Sequence, residues 1–183
     1  MAGTPANARL WEDANVYVAF DPDDAPTPAD ADTVFDDTKW TLVGLLDGGQ
    51  GFSEDVSEDE TDQFAWGQRL MRTTRANFKL TKTFTAYEYN DAVRRLLWPG
   101  STLSDTGGTL KIPRPERIKV AFETFDNDVT RRLISAYQAE VVRDGAQTEA
   151  EENVTSYGFI ATIFPGGVNS DELFIEQLSG YTS

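Results

Sequence analysis

Three stretches of this chain alternate apolar and polar residues with a period of two, and that period dictates extended strands. In Asn15–Phe20, Val16, Val18 and Phe20 share one face. In Arg117–Phe125, Ile118, Val120 and Phe122 point inward. The longest stretch is Asn77–Ala86, where Phe78, Leu80, Phe84 and Ala86 lie on one side. Asn77, Lys79, Thr81, Thr83 and Thr85 lie on the other. Half-buried strands must cover their apolar faces by stacking or closing, so the expected fold is mainly β, a β-sandwich or partial barrel.

The remaining segments fill in this frame. Lys39–Leu46 reads as a second strand, closed by the turn signal Asp47-Gly48-Gly49. Val154–Phe164 is strongly β, with apolar residues on both faces near its end, and Glu172–Leu178 suits an edge strand or an arm onto a neighbour. One α-helix is expected over about residues 87–98. Thr85-Ala-Tyr-Glu88 has the form of a capping box, and Tyr89, Val93, Leu96 and Leu97 form a packing stripe before Pro99-Gly100. Residues 132–142 read either way: Leu133, Ile134, Tyr137 and Val141 suit a helix, while the flanking strands favour a strand. Residues 101–115 read as a Gly/Pro/Ser-rich connection. Residues 21–38, with three prolines and seven aspartates, read as an exposed mobile loop. Residues 49–63 read as a second acidic loop. All of this fits one domain over 1–183, with an N-terminal arm of about 1–14 and a C-terminal arm of about 166–183.

Charge is distributed unevenly. Residues 21–62 carry fourteen acids against Lys39 alone, net −13. Residues 63–143 carry fourteen bases and eight acids, net +6, and residues 144–183 carry seven acids and no base. The acidic side chains Glu54, Asp55, Glu58, Asp59, Glu60 and Asp62 thus immediately precede the basic Arg69, Arg72, Arg75, Lys79 and Lys82. Solvated acidic loops would produce such a profile. So would self-complementary packing, in which acidic segments of one copy meet basic segments of the next. A net charge of −15 weighs against wrapping nucleic acid.

The chain contains no histidine and no cysteine, which removes catalytic triads, thiol nucleophiles, His/Cys zinc sites and disulfides. Carboxylates remain, but Asp126-Asn-Asp128 lacks the glycine and distal glutamate of an EF-hand loop. Asp21, Asp23 and Asp24 sit in a Pro-rich stretch where acids are usually solvated. No enzymatic activity, cofactor or metal is expected. Trp11, Trp40, Trp66 and Trp98 suit core or subunit contacts better than a sugar-binding platform. The N-terminal Met1–Arg9 has no apolar run of signal-peptide length, and no stretch approaches a membrane span. The expectation is a protein made in the cytoplasm.

The order of features resembles a known family. An early strand is followed by Trp40-Thr-Leu-Val-Gly-Leu-Leu-Asp-Gly48, an acidic connection, Phe64-Ala-Trp-Gly67, Arg-rich strands and Leu96-Leu-Trp-Pro-Gly100. Arg132–Glu140 and Ile160-Ala-Thr-Ile-Phe-Pro165 come later. Over roughly residues 10–180 this resembles the major tail tube proteins of long, non-contractile-tailed phages, especially those infecting actinobacteria. The likeness lies in order and spacing, with no single diagnostic motif. It implies a tail-tube-type β fold and a structural virion protein, assembled in the host cytoplasm. Such proteins form six-fold rings that stack into a tube around the tape-measure protein, between tail terminator and tail-tip proteins. Phage DNA later passes through the lumen without specific binding. The resemblance also implies that residues 49–63 reach an adjacent ring and that the terminal arms make further ring-to-ring contacts. Together with the charge profile, this makes the 54–62 acids candidates for docking on the basic residues 69–82 of the next ring. Alternative readings are a tail terminator-type ring protein and a sugar- or calcium-binding β-sandwich module.

Overall fold

The structure is a computed structural model of the chain and describes residues 9–166 and 171–180. Nearly half of the chain is in strands and, among the described residues, one α-helix forms, so the fold is mainly β with a sandwich-like architecture. Two antiparallel layers share strand β7, Arg117–Asp126. The first layer pairs β7 with β1 (Asp13–Ala19) on one edge and β8 (Val129–Ser135) on the other. Outside these lie β2 (Thr41–Leu42) and β11 (Phe174–Ser179). The second layer runs β3 (Ser53–Ala65), β4 (Arg69–Ala86), β10 (Tyr157–Ile163) and β9 (Ala139–Arg143), and β9 meets the start of β7. A small hairpin, β5 (Thr102–Ser104) with β6 (Gly107–Thr109), stands apart in the segment read as an irregular connection.

The chain turns from one layer to the other between β8 and β9. Residues 136–138 leave the ladder there, and the buried Ser135 hydroxyl accepts the hydrogen bond of the Val120 N–H at 3.0 Å. A backbone donor at the corner is therefore satisfied without a strand opposite it. Residues 132–142 are thus β throughout their paired parts, as the flanking strands favour.

Alternation places Val16, Val18, Ile118, Val120 and Phe122 in the core from the first layer, facing Leu80, Phe84 and Phe159 from the second. Phe122 sits at the centre: Phe52, Phe84 and Phe174 approach it edge-on with ring centroids 5.3, 6.0 and 6.4 Å away. Phe84 stacks on Phe159 at 5.2 Å. Edge-on and offset contacts of this kind add about 0.5–1.5 kcal/mol each beyond area burial.

The helix is shorter than the sequence suggests. α1 spans Asp91–Leu97, and its N-cap is Asn90, whose side chain accepts from the Val93 N–H at 3.0 Å. Thr85 is no cap, because β4 continues through it to Ala86. Glu88 instead accepts the Leu45 N–H at 2.9 Å, which holds the 43–52 segment against the end of β4. Gly44 is fixed by the same approach: its φ is +102°, and a Cβ there would lie 2.5 Å from the Glu88 carboxylate. Val93, Leu96 and Leu97 are buried, whereas Tyr89 precedes the helix and stays half exposed against Tyr157. The strand expected over 39–46 shrinks to Thr41–Leu42 for the same reason, since Val43–Gly51 crosses over the sandwich end.

Residues 21–38 are also corrected. Their aspartates are exposed, but the segment is anchored, and it covers the outer face of the first layer. Ala25 and Trp40 join Ala19, Ala121 and Ile134 in a second cluster, capped by Tyr17 and Phe35. The Trp40 indole donates to the Pro26 carbonyl at 2.9 Å. Arg132 is the main tie. Buried in full, it forks onto Glu123 at 2.6 and 2.9 Å and donates to the carbonyls of Asp30 and Thr33 at 2.9 and 3.0 Å. Phe35 lies 4.4 Å from its guanidinium carbon, and Gln177 of β11 donates to the Pro28 carbonyl. Within the loop, the Thr33 hydroxyl and backbone hold the Asp30 carboxyl below the usual carboxylate range, and Thr38 does the same for Asp36. Burial raises the neighbouring Tyr17 phenol, reinforced by the Glu123 charge.

Truncating one partner of a buried pair leaves the other charge uncompensated. Arg132→Met should therefore lower unfolding stability by about 3–5 kcal/mol and open residues 26–37 to proteolysis. Urea unfolding and limited digestion check both; unchanged stability with an intact loop would refute this role for Arg132.

Candidate functional site

The second layer extends far past its own core. β10 pairs with β4 only over residues 80–86, opposite Tyr157–Ile163. Beyond that point β4 has β3 on one side and, among the described residues, nothing on the other. Residues 57–79 therefore form a free-standing two-stranded hairpin. At about 3.3 Å per residue it projects roughly 40 Å. The acidic segment read as a loop is thus one strand of this hairpin, with Glu54, Asp55, Glu58, Asp59, Glu60 and Asp62 all exposed. Periodicity gave no sign of it, because neither face of the projecting strand is buried.

The basic residues lie on the strand opposite, so part of the charge complementarity is met within one chain. Glu54 is in register with Lys82 and Glu60 with Arg75. Lys82 Nζ is 3.0 Å from the Glu54 carboxylate. Arg75 sits 3.9 Å from Glu58 and 3.7 Å from Glu60. Asp62 accepts from the Thr73 hydroxyl at 2.6 Å, and Asp59 accepts from the Asn77 amide at 2.7 Å. Lys82 does not face outward with Arg69, Arg72, Arg75 and Lys79. It falls on the inward side of β4, buried over the rings of Phe52 and Phe122 at 5.9 and 5.4 Å. Asp55 and Lys79 make no ion pair among the described residues.

Two irregularities bend the hairpin. Asn77, with φ +56°, and Phe78 together oppose the single residue Glu58, and Met71 is an extra residue between Arg72 and Leu70. Such bulges twist an edge and re-aim the side chains beyond them. The turn itself is Trp66-Gly67-Gln68, with positive φ at Gly67 and Gln68. Around it gathers an exposed apolar group: Phe64 is 62% exposed, Leu70 56%, Met71 72%, and Trp66, expected in a core or a subunit contact, is fully exposed. Phe64 and Leu70 are directly cross-strand. Arg69 and Arg72 flank this tip, and their side chains make no ion pair or hydrogen bond among the described residues.

At the opposite end of β4, an open cleft of about 690 Å³ lies between β1, the 42–52 crossover and the ends of β4 and β8. Its two cations are paired within the chain, Lys82 with Glu54 and Arg131 with Glu176 at 2.8 Å. Asp47 accepts from the Tyr87 hydroxyl, a bond that raises the Tyr87 pKa. Among the described residues no group of three or more acidic side chains is placed to hold a metal ion, and no helix is long and apolar enough to cross a membrane. Of the expected terminal arms, residues 1–8, 167–170 and 181–183 lie outside the described residues.

Besides the free side of β4 over residues 69–79, the strands at the ends of the sheet leave edges unpaired among the described residues. These are the outer sides of β3, β11 and the two-residue β2. Acidic side chains along β3 are a usual device for keeping such an edge from pairing indiscriminately. Compared with known proteins, the sequence matches no family model, and no curated protein matches it.

Cross-strand pairing within the chain has a direct test. Glu60→Arg and Arg75→Glu should each speed amide exchange at residues 59–76, and combining both in one chain should restore protection. Mixing the two single variants should not. Recovery in the mixture alone would show that the pair forms between copies.

Proposed function

We propose that this protein is a structural subunit that assembles with copies of itself into the tube of a long, non-contractile phage tail. One observation carries the reading: residues 57–79 form a projecting hairpin with no tertiary support, ended by exposed aromatic and aliphatic side chains. A lone two-stranded hairpin is marginal in water, so an ordered one of this length implies a surface that covers it elsewhere. The unpaired edges of β3 and β11 support the same conclusion. Edges on opposite ends of a strand order can pair between neighbours, and a repeated heterologous contact gives a ring where its rotation closes and an open filament where it does not. Closure removes the edges.

The resemblance of the feature order to major tail tube proteins supplies the particular assembly: six copies per ring, rings stacked around a tape-measure protein, and a lumen that later carries DNA. On this reading the chain is no enzyme, and its place is the virion tail. A net charge of −15 suits a conduit that must not retain phosphate. The interior pairing of Lys82 with Glu54 removes one cation from the surface of β4.

The charge pattern now has a narrower part. Because Glu54, Glu58 and Glu60 are engaged inside the hairpin, they stiffen and solubilise the projecting element, and contact with the next copy falls to the tip and the free edges.

Sedimentation velocity over a wide concentration range, with electron microscopy of the same samples, tests the proposal. Six-fold rings growing into tubes are expected. Closed single rings that never stack would assign the protein to a terminator-type role, and a monomer at every concentration would overturn self-assembly.

A further inference from the structure

One row of polar side chains crosses the outer face of the first layer, the face that residues 26–37 cover. Asn15 of β1 is in register with Glu123 of β7, Glu123 with Arg132 of β8, and Arg132 with Gln177 of β11. The row is bonded along its length. The Asn15 amide donates to Glu123 at 3.4 Å, Arg132 forks onto Glu123, and Arg132 Nη1 donates to the Gln177 side-chain oxygen at 3.3 Å. Backbone carbonyls of residues 26–37 close it from above. Arg132 Nη1 also donates to Asp30 and Thr33, and the Gln177 amide nitrogen donates to Pro28 at 2.6 Å. The segment is thus a strap with two ties, one to β8 and one to β11.

The two ties meet at one guanidinium nitrogen, and Glu123 and Arg132 beneath them are buried. If β11 left β8 with the strap in place, Nη1 would lose the Gln177 acceptor and the Pro28 carbonyl would lose its donor, under a cover that excludes water. If the strap left first, Gln177 would lose Pro28, and β11 would remain a bare edge strand held through its β8 ladder and Phe174. Either half-open state gives up bonds from both ties, because an unmade bond on a shared group is felt by both elements. With strap and strand both released, water reaches the whole row and satisfies it. Elements that lose their partners together open as one unit.

We infer that residues 26–37 and β11 form one latch: they open together, and the strap decides whether β11 stays docked on its own chain. Each element also has an anchor away from the shared ties. Phe35 of the strap packs on Tyr17 and Trp40, with ring centroids 4.3 and 4.9 Å away. After β11, Gly180 turns at φ +74° so close to the β7–β8 turn that a Cβ there would lie 2.1 Å from the Asp128 carbonyl oxygen. Phe35 thus gives a handle on the strap and Gly180 one on β11. The latch belongs to the single copy. Its bearing on assembly rests on the proposed function: the outer edge of β11 is on offer to a neighbour only while the strap is shut.

Hydrogen exchange on the dilute protein tests the latch. Phe35→Ala should speed exchange of the β11 amides about ten-fold, with Val16, Val18 and β10 unchanged. Gly180→Ala should do the same, about ten-fold, at Thr33 and Trp40, whose N–H groups are bonded to Asp30 and Asp36. Gln177→Leu removes the shared tie, so in that background each handle should loosen its own element alone. The unsubstituted protein gives an independent reading: in low urea, strap and β11 should share one opening free energy and one urea slope. Separate urea dependences, handles that act only on their own element, or cross-effects that survive Gln177→Leu would each overturn the latch. Because single copies are measured, such a result leaves self-assembly standing. A monomer at every concentration with the cross-effects intact would overturn the proposed function and leave the latch.

Discussion

A core that is seven residues long on β4 supports a strand that runs from Arg69 to Ala86, and most of this molecule follows from that mismatch. Residues 80–86 are locked by β10 on one side and by the Phe84–Phe122–Phe159 cluster beneath. The direction they set is inherited by residues 69–79, which have no core of their own. β3 follows by pairing, and the hairpin leaves the sandwich as a lever with one fixed end. Cross-strand charge pairs keep the lever extended in water, and bulges at Asn77–Phe78 and Met71 set where its tip points.

The sandwich itself is stabilised as a closed unit, apart from its edges. Arg132 is the clearest case. A fully buried guanidinium with a carboxylate and two backbone carbonyls around it is a geometry that tolerates little change. It turns an acidic, proline-rich segment into a cover for the first layer. The contrast with the hairpin is physical: one exposed-looking segment is tied down by a buried cation, and the other stands free with its tip unpaired.

The alternating strands were legible because one face of each meets the core: Val16 and Val18, Ile118 and Val120, Leu80 and Phe84 repeat at two-residue spacing. The acidic strand β3 was not legible, since both of its faces meet water and Asp and Glu are depleted from ordinary strands. Its one signal was the charge contrast with residues 69–82, which sequence reading assigned to contacts between copies. The structure places three of those acids against bases of the same hairpin. Thr85 satisfied a capping pattern and also the alternation Phe84–Ala86, and the strand took it, leaving Asn90 to cap the helix. The anchoring of residues 21–38 uses the carbonyls of Asp30 and Thr33, and backbone acceptors leave no trace in side-chain pattern. The tip was visible as residues but not as a site, because exposure depends on where the core ends.

The proposed assembly depends on surfaces that are bare in one copy and covered in many. Hydrogen–deuterium exchange, compared between dilute protein and the same protein at assembling concentration, reads those surfaces directly. Protection should rise at the outer edges of β3 and β11 and at residues 64–72, and stay constant in β7 and β10. Exchange that is identical at the two concentrations would contradict the claim that this chain is completed by copies of itself.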